Sequence, residues 1–559
     1  MRRLISAGTV AVAAAAVAVA LPAGAAAAGC AVKYTVSSQW QGGFGADVTI
    51  TNLGDPLTGW NLTWSYGAGQ TVTQAWNATV PQTGTAVTAR NVEYNAAIAT
   101  GGTASFGFNG SWTGSNPAPV NFAVNGVACT GGTTPSPSGS PSTTPSTGPS
   151  AAADITVNTA TKYQTVDGFG AAVSIWGSAW STAETQTLVG LGAGQLGLSI
   201  VRTGVSPVSG EWGTQVNALK TAKSYGSGVK ILASPWTAPA AWKTNNSRIN
   251  GGKLKTDYYD DYAGHLNSYV QYMRGQGVPV DVTSVQNEPD WHPDYDSMDW
   301  SGTELRDFVR DQGAKVQNTK LMVAEAVNLN YGYTDPALND TTARGNIGYI
   351  GGHLYGTEAS GRLGPYSLAA QHGKPVWMTE WNLHAADGSG SNIWGDPANQ
   401  TVWNETLDDI MRTVHKSMES NWSAYIWWYG KRYYSFIGDG ESVYGTTAGA
   451  PLKRGYAFAQ FSKYVRPGYQ RIALTKSNKA SPLEVTAYQG GGKITLVLLN
   501  RSSSAVGGAV LQAPQNLTRA EHYLTSRTAN AAAQTTSVNG SQVTVDVPAR
   551  SISTVVLTL

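Results

Sequence analysis

Between residues 46 and 51, 62 and 65, and 105 and 108, apolar and polar side chains alternate one for one, the period of strands with one buried face. Turn signals such as Leu53-Gly54-Asp55-Pro56 separate these runs. The pattern predicts an all-β sandwich of about 100 residues over 29–130. Trp60 and Trp64 fall in or beside one alternating run and belong to its core, whereas Trp40 and Trp76 have few apolar neighbours in sequence and are expected at the surface.

Residues 131–152 have no aromatic and no charged side chain and repeat Pro, Ser, Thr and Gly. Such a stretch buries too little apolar surface to offset its ordering entropy, so it is expected to be a linker. Beyond it the pattern changes. A short strand around Ile155, Val157 and Tyr163 is followed by apolar runs beginning at 165–170 and recurring at 198–202, 229–234, 282–286, 321–324, 347–353, 376–380 and 424–429. Helical periodicity separates the runs, as at 258–275, where Tyr262, Leu266, Tyr269, Val270 and Met273 share one face. Eight alternating repeats predict a parallel sheet closed into a (β/α)8 TIM barrel over 166–465. After it, strand-like runs at 483–488, 494–499, 543–547 and 553–557 predict a second β-sandwich, completed by the strand before the barrel, so that 153–165 and 466–559 form one side domain. The expected architecture is multidomain: sandwich, linker, then barrel with attached sandwich.

The first 28 residues carry Arg2-Arg3, an apolar stretch from 10 to 21 and Ala26-Ala27-Ala28. That is the layout of a secretory signal peptide, and the apolar stretch is shorter than the roughly 18 residues of a membrane span. An exported chain with two cysteines, Cys30 and Cys129, is expected to join them as one disulfide around the N-terminal module. Net charge is +2 and only 13% of residues are charged, so no basic field points to nucleic acid or a membrane surface. The 19 Trp and 26 Tyr against 9 Phe favour rings with a polar tip, which suit sugars. No Cys/His spacing of a metal site occurs, and neither metal nor cofactor is expected.

Two barrel strands end on chemistry. The run 280–285 leads to Asn287-Glu288 and is broken by Pro289, and the run 374–380 closes on Glu380 before Trp381 and Asn382. The two carboxylates are 92 positions apart, about three βα units of roughly 31 residues, which places them at the ends of strands 4 and 7 on one face. Glu325 also ends a strand, after Met322-Val323-Ala324, and is expected to be structural. Trp176, Trp236, His353, Tyr355 and Trp428 lie at or just beyond strand ends, positioned to stack on or hydrogen-bond to sugar rings.

Specific motifs carry a resemblance. Residues 39–44 (QWQGGF), 73–77 (TQAWN) and 106–110 (FGFNG), bracketed by the two cysteines, resemble family 2 carbohydrate-binding modules. The resemblance implies a surface strip of Trp40, Trp76 and Tyr94 on a cellulose or xylan surface. Residues 164–170, Ser234-Pro235-Trp236, 285–290, 353–357, 377–380, 427–429, 453–456 and 461–468, in that order, resemble glycoside hydrolase family 30, closest to its subfamily 8 of glucuronoxylanases. It implies Glu288 as acid/base, Glu380 as nucleophile, Asn287 on the sugar 2-hydroxyl, and Arg432 with Tyr434 on the carboxylate of a glucuronic acid branch. An Arg fork suits a carboxylate.

The expected function is a secreted, extracellular retaining endo-β-1,4-xylanase acting on xylan as a monomer, with no nucleic-acid or membrane partner. The alternatives are a branch-indifferent xylanase, a β-1,6-galactanase of the same family, or a non-catalytic polysaccharide-binding protein.

Overall fold

The computed structural model describes residues 29–40, 42–113, 116, 119–129, 152–226, 228–384 and 392–559. Residues 1–28, expected to be a signal peptide, nearly all of the expected linker and the Trp40 side chain lie outside them. No helix among the described residues is long and apolar enough to cross a membrane. The chain divides into two compact units.

The N-terminal unit is two antiparallel sheets. One contains Cys30–Trp40, Gly43–Asn52, Thr103–Ser111 and Thr71–Trp76; the other is built around Asn61–Ser65 and Ala86–Asn91. Alternation sends Phe44, Ala46, Val48 and Ile50 into the space between the sheets. Trp60 stacks on Phe106 at 5.6 Å and Trp64 on Phe108 at 5.9 Å, so both indoles are core, as their strand setting predicts. Cys30 and Cys129 form the disulfide.

The second unit holds the closed parallel barrel: β1 (Gly168–Ala172), β2 (Ile200–Val205), β3 (Lys230–Pro235), β4 (Val282–Ser284), β5 (Lys320–Ala326), β6 (Ile347–His353), β7 (Val376–Glu380) and β8 (Ala424–Tyr429). Inward-facing Ile200, Leu232, Val282, Met322, Trp377 and Ile426 meet in one cluster, so the barrel interior is packed and not a pore. The helix Tyr259–Gly275 buries Tyr262, Leu266, Tyr269, Val270 and Met273. Its Tyr262 hydroxyl donates to the Val285 carbonyl at 2.9 Å, fixing the backbone just beyond β4.

The strand Ile155–Thr165 pairs antiparallel with Gln470–Lys476 and parallel with Val506–Gln512, at the middle of a ten-stranded sheet. Strands distant along that sheet, represented by Leu498, Val543 and Val555, share one apolar cluster. The sheet therefore folds over on itself as two layers. The helix Lys453–Ser462 joins this sheet to the barrel: Phe458 meets Phe169 of β1, and the Gln460 amide donates to the Thr525 hydroxyl at 2.8 Å.

Candidate active site

The fourth strand is shorter than its apolar run, and the reason lies at its end. After Ser284 the chain is held by neighbouring strand ends: Val285 N–H donates to the Met322 carbonyl at 3.0 Å, Asn287 N–H to Pro235 at 2.8 Å and Glu288 N–H to Glu325 at 3.1 Å. Glu288 has φ +46° and Glu325 φ +48°, left-handed conformations that cost a non-glycine residue energy and persist only where surroundings enforce them. The buried Gln286 amide donates to the Trp236 and Asn287 carbonyls at 2.8 and 2.7 Å, tying the exits of β3 and β4 together.

The two predicted carboxylates meet. Glu288 and Glu380 are both largely buried, and an oxygen of each, with a ring nitrogen of His353, lies in a group whose members are all within 4.8 Å of one another. Arg202, in the middle of β2, is fully buried between them. Its Nη1 donates to Glu380 Oε2 at 2.6 Å, its Nη2 to Asn287 Oδ1 at 2.6 Å with Glu325 Oε1 at 3.1 Å, and its Nε to the Ser234 hydroxyl at 3.2 Å. The guanidinium also lies 4.8 Å from the centre of the Trp236 ring, a cation–π contact. The Tyr355 hydroxyl donates to Glu380 Oε1 at 3.0 Å and accepts from the Asn382 amide at 2.8 Å.

His353 corrects an expectation. It is fully buried, its Nδ1 2.9 Å from Glu288 Oε1 and its Nε2 3.9 Å from both Glu325 and Glu380, so it touches the carboxyls and not a sugar ring. Burial opposes its imidazolium, but Glu380, Glu288 and Glu325 outweigh that and raise it to about 9. Burial would push Glu325 up, yet Arg202 and His353 hold it down at about 2. Burial pushes the Glu380 carboxyl up while His353 and Arg202 pull it back. Although three of these groups have metal-ligating atoms, the guanidinium and imidazolium already supply the cations that a buried carboxylate cluster needs.

Above the carboxyls is a cavity of about 540 Å³ lined by Trp176, Trp236, Trp291, Tyr295, Tyr355 and Trp428, with Asn382 and Tyr429 beside them. Trp176 is 52% exposed and packs edge-on against Trp236 at 5.5 Å and Tyr295 at 5.6 Å. Of the expected sugar contacts, Trp176, Trp236, Tyr355 and Trp428 line this cavity. Asn287 is buried, its side-chain oxygen taken by Arg202. Arg432 and Tyr434 stand outside the lining, further along the loop after β8. Arg432 is half-exposed with Nη1 3.5 Å from Glu441, and its Nε has no hydrogen-bond partner among the described residues. Tyr434 is buried and stacks on His384 at 4.8 Å.

Sequence reasoning gave no role to Arg202, Trp291 or Tyr295. Arg202 had a signal, a lone charge inside an apolar barrel strand. The two rings had a weaker one, their place in the loop directly after Glu288.

On the N-terminal unit, Trp76 is 42% and Tyr94 75% exposed. A Cβ on Gly107 would sit 2.5 Å from the Trp76 ring, so the glycine lets the indole lie against the sheet. The Tyr94 hydroxyl donates to Asn77 Oδ1 at 2.6 Å, bringing that ring beside the residue that follows Trp76.

Comparison with known proteins adds to this geometry. A family profile described as "Cellulose binding domain" matches residues 30–129, and one described as "Glycosyl hydrolase family 30 TIM-barrel domain" matches 209–432. Glucuronoxylanase XynC of Bacillus subtilis (strain 168) is 32% identical over 415 residues, 73% of this chain and 92% of that protein. The crystal structure of the family 30 subfamily 8 xylanase Xyn30A from Clostridium acetobutylicum matches with a TM-score of 0.63 at 30% identity, covering 73% of this chain and 100% of that one. Endoglucanase CelA of Streptomyces lividans is 54% identical over 110 residues, 20% of this chain and 24% of that protein.

Proposed function

Since this chain belongs to glycoside hydrolase family 30, we propose that it is an exported, retaining endo-β-1,4-xylanase directed to glucuronoxylan and carrying its own polysaccharide-binding module. The observation that carries the reading is the Glu288/Glu380 pair at the ends of β4 and β7 on one face of the barrel, one oxygen of each lying within 4.8 Å of the other. Retaining glycosidases hold their carboxyls about 5–5.5 Å apart, and inverting ones leave about 6.5–9.5 Å for a water.

In the first step Glu380 attacks the anomeric carbon and the bond to the leaving oxygen breaks, with Glu288 giving that oxygen its proton. A glycosyl ester on Glu380 results. In the second step Glu288, now a carboxylate, takes a proton from water as the water oxygen attacks the anomeric carbon and frees Glu380. The division of roles has a local cause: Arg202 and the Tyr355 hydroxyl both donate to Glu380, which suits an anion whose oxygens only accept. Glu288 has no guanidinium on it, and its Oε1 shares a hydrogen bond with His353 Nδ1 at 2.9 Å. The aromatic walls supply the flat apolar faces on which pyranose rings stack.

Glucuronoxylan is supported by the relatives and by Arg432, whose half-exposed side chain is paired with Glu441 at no closer than 3.5 Å, leaving its outer nitrogens able to take a carboxylate. The branch-indifferent reading is favoured by one observation, that Arg432 and Tyr434 do not line the central cavity. The β-1,6-galactanase reading has no such support, and two carboxyls held this close argue against a non-catalytic role. Trp76 and Tyr94 are the module's proposed polysaccharide contacts, with Trp40. Reducing-end release and product ladders on glucuronoxylan beside arabinoxylan test the reading. Products spaced by the branch on glucuronoxylan are expected; a ladder identical on both substrates would favour the branch-indifferent enzyme.

A further inference from the structure

Behind Trp176 the structure has a second pocket of about 340 Å³, and Trp176 and Trp236 line both it and the catalytic cavity. Its floor is apolar and buried, made by Trp212 and Tyr269. Its polar groups are fixed by bonds to the protein. The Ser206 hydroxyl donates to Glu211 at 2.5 Å, the Thr214 hydroxyl to the Glu211 carbonyl at 2.8 Å, and the Gln215 amide to the Ser174 carbonyl at 2.7 Å. Aromatic surface beside pre-positioned hydroxyl, amide and carboxylate groups is the chemistry that recognises a sugar ring, and polar groups already held in place lose little entropy on binding.

Charge narrows the ligand class. The lining carries three charged side chains, Glu211, Arg248 and Asp296, which sum to one negative charge. Arg248 is paired, its Nε and Nη2 donating to the two Asp296 oxygens at 3.0 and 2.5 Å. The one cation of the lining is already neutralised by Asp296, and Glu211 adds the net negative charge that disfavours a carboxylate. This differs from Arg432, whose carboxylate contact among the described residues is Glu441 at 3.5 Å.

We propose that this side pocket is a second sugar-binding site that takes one neutral pentosyl ring and rejects uronic acids, the ring reaching it past Trp176 from a chain bound in the catalytic cavity. The inference rests on the xylanase reading, and names a substrate feature read by residues other than Arg432. A main-chain xylosyl unit and an arabinofuranosyl branch share the required chemistry.

The test is the ratio of kcat/KM on a long substrate to that on xylotriose, for the parent and for Thr214→Trp, which narrows the pocket from its exposed rim. Binding energy from a remote subsite is used at the scissile bond, so the ratio should fall about tenfold. A fall with linear xylohexaose identifies the main-chain unit; a fall only with arabinofuranosyl-decorated oligosaccharides identifies the branch. Glu211→Gln keeps the shape and removes the net charge, and should narrow the discrimination against an oligosaccharide bearing a uronic acid by about tenfold. An unchanged ratio in Thr214→Trp together with unchanged discrimination in Glu211→Gln would overturn the proposal, as would equal losses on xylotriose and every longer substrate. A parent with no activity on any of these substrates would instead overturn the xylanase reading itself.

Discussion

Arg202 Nη1 lies 2.6 Å from Glu380 Oε2, and the same guanidinium reaches Asn287 at 2.6 Å and Glu325 at 3.1 Å. One buried cation thus spans the ends of β4, β5 and β7 and fixes Glu380 relative to Asn287, the residue that precedes Glu288. Positioning of this kind is where much of a glycosidase's rate enhancement originates, because the reacting groups are held in geometry before substrate arrives.

Arg202→Ala leaves two carboxylates buried without their guanidinium. Breaking a buried pair costs about 3–5 kcal/mol of stability, and kcat should fall on the order of 100-fold or more as Glu380 loses its orientation. Arg202→Lys restores charge but not the fork, and should recover stability more than kcat. Steady-state kinetics beside thermal melts separate the two effects; full activity in Arg202→Ala would remove Arg202 from the site.

The buried cluster sets a pH window for stability. His353 rises from an ordinary 6.5 to about 9 on folding, so its contribution is complete below pH 6.5 and lost as pH climbs through 9. Glu325 falls from 4.5 to about 2, so its contribution is complete above pH 4.5 and lost as pH drops toward 2. Tm should therefore be flattest between pH 4.5 and 6.5. In His353→Gln the alkaline slope between pH 6.5 and 9 should shrink while the acid slope persists. An alkaline slope of parental size in that variant would mean that His353 is neutral in the fold.

The sequence reading reached the architecture because each layer writes its own period. Alternation at Ala46 to Thr51 marks one face of a sandwich strand, and the Tyr262/Leu266/Tyr269/Met273 stripe marks a helix on the barrel. It reached Glu288 and Glu380 because an acidic residue closing an apolar strand has no packing reason to be there. It could not place His353, since a histidine ending a strand reads the same whether its ring faces a sugar or two carboxyls. That choice is made by Glu288 and Glu325, which arrive from other strands. Arg202 was visible as a charge in an apolar run, but Asn287 and Glu380, which it holds, are 85 and 178 residues away in sequence, beyond any local pattern. Trp291 and Tyr295 become groove walls only because the chain turns at Glu288.

On the N-terminal module, Trp76→Ala and Tyr94→Ala should each weaken adsorption to insoluble polysaccharide, by roughly 5- to 10-fold for a stacking ring of this kind. Turnover of soluble xylan is the control, and it lies in the other unit. Depletion isotherms measure the first and reducing-sugar assays the second. Parental adsorption in the double variant would place the binding face elsewhere.

Arg432→Ala should lose about 10- to 150-fold in kcat/KM on glucuronoxylan, the equivalent of about 1.5–3 kcal/mol for a charge-assisted bond, with little change on arabinoxylan. Equal losses on both substrates would make Arg432 a structural residue through its Glu441 contact.

The central claim is that Glu380 is the nucleophile and Glu288 its acid/base partner, and azide tests it most directly. Replacing Glu380 with Gly opens the face from which the carboxylate attacks, and added azide should restore turnover of an activated aryl xylobioside with the α-glycosyl azide as product, because the anion displaces the leaving group in a single inverting step. In Glu288→Ala the glycosyl ester on Glu380 still forms, and azide should intercept it to give the β-glycosyl azide. The anomeric proton coupling of each product distinguishes them. A β-azide from the Glu380 variant, or an α-azide from the Glu288 variant, would contradict the assignment.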